Sequence, residues 1–299
     1  MVKKNKLIAD NRTGGKIMGE EKERFIQRFD TAQKEVLVLT ENYGTSASKS
    51  GKDKLYTASI TILALVDVVT GELTDEKSYL EWQLTEKECQ TSEKIFNLQG
   101  KTIYRLKVQE SLPFTNPFGE EVRRGRYLWV KEVLERDCQE ERLDAILEIY
   151  LKPVIIQPEG CEEFVLDKSF EMFSGNGSWN GESCLIHLDV DENSAETAED
   201  AQSTLKILMD NCKEWDEKAR QYAAAELAEC ASDWVKEEDE NAEEITEDEF
   251  AKRMSISKIV VSIDGDFDIY YDDDDMFWGH VIIVSGNIET GINDATMAG

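Results

Sequence analysis

The chain has 299 residues, with 34 lysines and arginines against 63 aspartates and glutamates and a formal net charge of −29. The length accommodates two domains of ordinary size, and the charge is uneven: residues 1–150 hold 26 acidic and 24 basic side chains, residues 151–299 hold 37 and 10. A half so acidic repels phosphates, which argues against nucleic-acid binding there, and it steers in basic proteins; the same surplus also serves plain solubility.

In chain order, residues 1–18 are basic and read as a loose tail. Glu20 to Lys34 has helical spacing of Phe25, Ile26 and Phe29, and Val36 to Thr40 reads as a strand. The Ser/Gly/Lys-rich stretch from Gly44 to Lys54 is expected to be a flexible loop. Strand patterns follow at Leu55 to Val69, Tyr79 to Leu84, Ile103 to Val108 and Tyr127 to Val133, with a turn at Asn116-Pro117-Phe118-Gly119. Five strands with close turns predict a small antiparallel barrel or sandwich of OB or SH3 type over residues 19–152. Cys138 to Leu151 is a helix ended by Pro153, and it leads into the second unit, 153–299.

That unit opens with strand patterns at Val154 to Gln157 and Phe164 to Phe173, then a glycine-rich segment ending in Trp179-Asn180-Gly181. Asn-Gly accepts positive φ at both positions and predicts a hairpin returning through Ser183 to Val190. Alternation there places Cys184, Ile186, Leu188 and Val190 on one face and Leu185 and His187 on the other. From Ser194 the period changes. Thr197 to Asp200 resembles a capping box, and two apolar stripes, Ala201 to Trp215 and Ala219 to Trp234, predict two helices or one kinked helix. Thr246-Glu247-Asp248-Glu249 is a capping box before a short helix with Phe250 and Met254. Strands are predicted at Ile256 to Ile263, Phe267 to Asp272 and Met276 to Val284, with Asp272 to Asp275 as the turn, and the tail from Gly286 carries no clear pattern. Strands at both ends of a helical centre give an α+β fold: an antiparallel sheet with two to three helices on one face.

The six cysteines form no C-x-x-C pair and stand in no metal-ligand spacing with histidine, and Cys212 and Cys230 lie on apolar helix faces as buried thiols. The N-terminus lacks an apolar leader, and the longest apolar run is broken by Thr61 and Asp67, so a reduced cytoplasmic protein without a membrane segment is expected. No P-loop, dinucleotide fingerprint or nucleophile elbow occurs, and no cofactor is implied.

Chemistry therefore concentrates in the segment from Asp264 to Val284. Phe267, Ile269 and Tyr271 alternate with Asp266, Asp268 and Asp272, which sets the carboxylates on one strand face. Asp264, Asp266 and Asp268, or else Asp272 to Asp275, could surround a divalent cation, and a metal-dependent enzyme would be built on Asp266, Asp268, Asp272, Asp274 and His280, although the glycine and distal glutamate of an EF-hand loop are missing. Against this stands an acidic edge that merely discourages sheet aggregation. Trp179 at the hairpin tip and Trp278 beside His280 are candidate binding anchors, with Asp272, Asp273, Asp274 and Asp275 as contacts for a basic protein. Trp215 and Trp234 read as core. Arg123, Arg124 and Arg126 form the basic cluster of the first unit and would serve a nucleic-acid-binding barrel if they reach its ligand face.

Residues Phe173 to Gly181 (FSGNGSWNG), Trp215, Trp234, the capping box leading to Phe250 and Phe277-Trp278-Gly279-His280 before a β run together resemble an uncharacterised bacterial family, domain of unknown function 2262. The first unit resembles the small β domain that can precede it. The family has no established catalytic residues to carry over. Small acidic bacterial proteins of similar kind serve as immunity proteins beside polymorphic toxins, and that association implies an immunity or antitoxin-like inhibitor of a basic partner. Three readings stay open: this acidic protein-binding module, the metal-dependent enzyme, and a scaffold with a nucleic-acid-binding barrel.

Overall fold

A computed structural model describes residues 18–90, 96–115, 119, 121–191, 195, 198–238 and 242–299. The proposed tail (1–18) therefore lies outside the described residues up to 17, as do Asn116 to Phe118 of the predicted turn and Thr197 of the first predicted capping box. The chain divides into two units between Lys152 and Pro153.

The first unit begins with helix α1 (residues 18–26) and then strand β1 (Phe29–Thr40), which starts where the sequence pattern extended the helix. Phe29 is buried, but as the first residue of a strand. There follow β2 (Ser46–Ser48), β3 (Leu55–Asp67), β4 (Leu73–Thr74), β5 (Ser78–Thr85), α2 (Glu86–Gln90), β6 (Ile103–Ser111), β7 (Phe114–Thr115), β8 (Glu121–Val122), β9 (Tyr127–Glu135) and α3 (Glu141–Leu151). β2 gives the expected flexible loop a short rung, Ser46–Ser48 against Thr57–Ser59.

The long strands close on themselves in the order β1-β6-β9-β5-β3 and back to β1. All pairs are antiparallel except β5–β9. A five-stranded ring of this order is the Greek-key closure of an OB-type barrel. Alternation along each strand sends Val36, Val38, Ile60, Ile62, Leu80, Trp82, Leu84, Leu106, Val108, Leu128 and Val130 inward, and they fill the barrel. Each such buried aliphatic side chain contributes about 1.5–3 kcal/mol. Leu143 of α3 packs with Leu39, Ala64, Val66 and Ile103 in a second cluster.

The second unit is one eight-stranded sheet in chain order: β10 (Ile155–Ile156), β11 (Phe164–Asp167), β12 (Met172–Trp179), β13 (Glu182–Asp189), β14 (Ser255–Val261), β15 (Asp266–Asp272), β16 (Val281–Asn287) and β17 (Gly291–Ala298). The sheet is antiparallel apart from β13–β14, which run parallel because helices α4 (Glu199–Asp210), α5 (Cys212–Glu238) and α6 (Glu247–Arg253) form the crossover between them. One sheet face, with Phe164, Phe173, Ile186, Leu188, Ile259, Ile269 and Val284, shares a core with apolar residues of all three helices, among them Leu205, Ala223 and Phe250.

Local chemistry explains the joints. Asn180 (φ 50) and Gly181 (φ 91) make the predicted two-residue turn between β12 and β13. A Cβ at Gly175 would run into the Phe164 ring, so this glycine is a packing requirement. α4 and α5 break at Asn211, and α6 opens with the predicted capping box: Glu249 N–H donates to Thr246 Oγ1 (3.3 Å) and Thr246 N–H to Glu249 Oε2 (3.1 Å). Two expectations are corrected. Met276 to His280 is loop, and β16 begins only at Val281. The patternless tail is an edge strand, β17, with Ile292, Ala295 and Met297 packed on the core and the Asn293 carbonyl accepting from Tyr222 Oη of α5 (3.0 Å).

Candidate functional site

The segment between β15 and β16 is built around Asp273. Its carboxylate is buried and accepts the backbone N–H groups of Asp275 (3.3 Å), Phe277 (2.6 Å) and Gly279 (3.3 Å). Arg253, at the end of α6, donates to Asp274 Oδ2 (2.8 Å) and to the Asp274 carbonyl (2.6 Å). Met276 and Phe277 insert into the core. These ties hold three non-glycine residues at positive φ, Asp274 (47°), Asp275 (59°) and Trp278 (58°), with Gly279 at 85°. Such backbone persists only where its surroundings over-determine it, and it clusters at functional segments.

What the loop presents is Trp278. It is 54% exposed and tilts against Trp234 of α5 with ring centroids 4.8 Å apart. Trp234 also meets Phe277 (5.7 Å) and His280 (5.4 Å) edge to face. His280 Nδ1 donates to the Phe277 carbonyl oxygen. Asp272 and Asp275, both preceding the aromatic step in the chain, are exposed. Of the expected contact residues, Asp274, Asp275, Trp278 and His280 thus lie in one loop, Asp272 ends the strand that leads into it, and Asp273 holds it together from inside. Trp234 was expected only as core; its spacing from Trp215 gave no sign that its outer ring edge would support an exposed tryptophan.

Trp179 is corrected. It is not an exposed anchor but 0% exposed, because it is the last inward-facing residue of β12. Its Nε1 donates to Asp216 Oδ1 of α5 (3.1 Å), which also accepts from Tyr271 Oη (2.9 Å). Asp216 Oδ2 accepts from Asn180 Nδ2 (3.3 Å) and Arg220 Nε (2.9 Å), and Arg220 donates onward to the carbonyls of Ala251 (3.0 Å) and Met254. Burial and the neighbouring Asp216 push the Tyr271 phenol up. This closed network joins the hairpin tip, two helices and the sheet, and sequence spacing gave no signal for it.

The carboxylates offered for a metal do not converge. Asp266 accepts from Asn287 Nδ2 (2.7 Å), Asp268 from Ser285 Oγ (2.5 Å), and Asp274 is taken by Arg253. Among the described residues no group of three or more His, Cys, Asp or Glu side chains is placed to hold a metal ion. The other histidine, His187, sits on the sheet face opposite the helices, its Nδ1 2.7 Å from Ser174 Oγ, and burial followed by Lys258 holds its imidazole below the usual range. All six cysteines are unpaired; burial raises the Cys184 thiol to about 11, while Cys212 and Cys230, expected to be buried, are half-buried at the core's edge.

In the barrel, Arg123 pairs with Glu76, Arg124 with Asp30 and Glu110, and Arg126 lies over the Tyr79 ring. The barrel's own carboxylates thus neutralise Arg123 and Arg124, and these two add no net positive charge for a phosphate backbone. Among the described residues no helix is long and apolar enough to cross a membrane.

No curated protein matches the chain. A family model described as an uncharacterized protein conserved in bacteria, DUF2262, matches residues 159–297. A second, a domain of unknown function, DUF7021, matches residues 21–150. The two matches fall one in each unit, DUF7021 over the barrel and DUF2262 over the sheet-and-helix unit, so each unit is similar to a family without an assigned function.

Proposed function

We propose that the protein is a non-enzymatic binding module whose acidic C-terminal unit masks a basic protein surface, in its finer form as an immunity or antitoxin-like inhibitor. The observation that carries the reading is Trp278: a large aromatic side chain held half out of the protein on a loop whose neighbouring apolar residues, Met276 and Phe277, are buried. Exposed, pre-positioned tryptophans are characteristic interface anchors, and ordering the loop in advance lowers the entropic cost of association. The exposed Asp272 and Asp275 suit arginine or lysine side chains, which also stack favourably on indole. The surplus of 27 negative charges over residues 151–299 steers such a partner in.

Binding is favoured over catalysis because the groups a reaction would need are engaged elsewhere: Asp216 and Asp273 in buried networks, Asp274 with Arg253. The test is a capture experiment at low salt from cells that make the protein, run in parallel with wild type and a Trp278→Ala/Asp272→Asn/Asp275→Asn variant. A basic protein retained by the wild type and lost by the variant is expected. Equal retention by both, or retention of no basic protein, removes the reading.

A further inference from the structure

The barrel contains a cavity that the reading above does not use. It measures about 340 Å³ and opens between α1, β5 and β9. Phe25 and Ile26 of α1, Trp82 of β5, Phe96, and Trp129 and Lys131 of β9 line it. That volume and an aromatic lining with few polar groups are the usual attributes of a small-molecule site. Ile26 remains 47% exposed beside these rings, so apolar surface is left wet at the mouth.

One polar atom of the lining residues is buried without an acceptor, and one cation of the lining has an aromatic ring but no carboxylate beside it. Trp82 is 2% exposed, and its Nε1 finds no acceptor among the described residues. Buried donors are almost always paired, so each exception calls for an explanation. Lys131 Nζ sits 3.1 Å above the Trp129 ring, and no carboxylate among the described residues pairs with it. In a chain with 63 acidic residues to 34 basic ones, a half-buried lysine without a carboxylate is conspicuous. Burial alone holds its ammonium below the usual range, a cost that an incoming anion would relieve. A second cation at the rim, Lys22, already lies in the field of Glu88.

We propose that this cavity binds a small amphipathic carboxylate, with an aromatic or short acyl body against Phe96, Trp82 and Trp129 and its charged end on Lys131. The Trp82 Nε1 supplies the second polar point, donating to an acceptor oxygen of the ligand.

The test uses the full chain and 1-anilinonaphthalene-8-sulfonate, an aromatic anion that brightens in apolar sites. Its emission is followed on titration, then on displacement by phenylacetate and octanoate and by their uncharged counterparts 2-phenylethanol and octanol. Lys131→Met is compared with Lys107→Met, a lysine paired with Glu132 on the barrel surface. Expected are one saturable probe site per chain, displacement by the acids ahead of the alcohols, and at least a tenfold loss of acid affinity in Lys131→Met. The alcohols should change less than twofold and Lys107→Met should match wild type. The proposal is overturned by the absence of a saturable site, by acids and alcohols competing equally, or by unchanged acid affinity in Lys131→Met.

Discussion

Two tryptophan-bearing turns in the C-terminal unit look alike as sequence, Trp179-Asn180-Gly181 and Trp278-Gly279-His280, and they do opposite things. Trp179 is wholly buried and donates to Asp216; Trp278 is 54% exposed and rests on Trp234. The difference lies in what precedes each turn. β12 runs without a break to Trp179, so strand alternation decides its direction, and the direction is inward. β15 stops at Asp272, six residues before Trp278, and the direction is then set by the αL backbone that Asp273 and Arg253 hold in place. An aromatic next to a glycine in a turn thus says little until the length of regular strand before it is known.

The comparison can be broken most severely at Asp216. Asp216→Ala leaves the half-buried Arg220 without its carboxylate and strips the buried acceptor from Trp179 and Tyr271, with an expected cost of about 3 kcal/mol or more by denaturant unfolding. A loss below 1 kcal/mol would mean that the network is not what holds Trp179. Next comes Gly175→Ala, which forces the Phe164 ring aside at a cost of about 1–3 kcal/mol in the same assay.

Arg253→Ala acts on the other turn. It removes a charged tie of about 1 kcal/mol and frees the αL segment, so amide exchange at Phe277 and Gly279 should quicken while that of β12 stays unchanged. A smaller effect is expected from pH. Because His187 is held below its ordinary pKa, the folded unit binds a proton less readily than the unfolded chain. Its contribution is complete above the ordinary imidazole pKa of about 6.5 and declines as the pH falls below that value. His187→Asn should flatten the dependence of the unfolding midpoint between pH 7.5 and 5.5, and an unaltered slope would contradict the assignment.

Much of this was legible. Alternation located most of the longer strands, Asn-Gly gave the hairpin, and Thr246 to Glu249 gave the start of α6, because each rests on chemistry within a few residues. β17 escaped because Gly, Asn, Asp and Ala make poor strand residues, and it is held at a sheet edge by pairing with β16 and by Tyr222 rather than by propensity. The apolar residues from Met276 onward predict a strand that starts there, yet Asp273 takes the Phe277 and Gly279 amides from within the turn, so no ladder forms before Val281. The Asp216 network's bonds to Trp179 and Tyr271 and the Trp234 support join residues 37 to 55 positions apart, beyond the reach of any periodicity. The face of the four-aspartate run was likewise hidden: one member is buried, one is paired and two are free to meet a partner.

The central claim, that Trp278 is exposed for recognition and not for stability, is tested most directly on Trp278→Ala alone. Its unfolding free energy and its association rate with the captured basic partner are measured side by side at rising ionic strength. The account predicts a stability change within about 1 kcal/mol, at least a tenfold loss of affinity, and a wild-type association rate that falls steeply with salt. Unfolding of the variant, or full affinity in a stably folded variant, would contradict it.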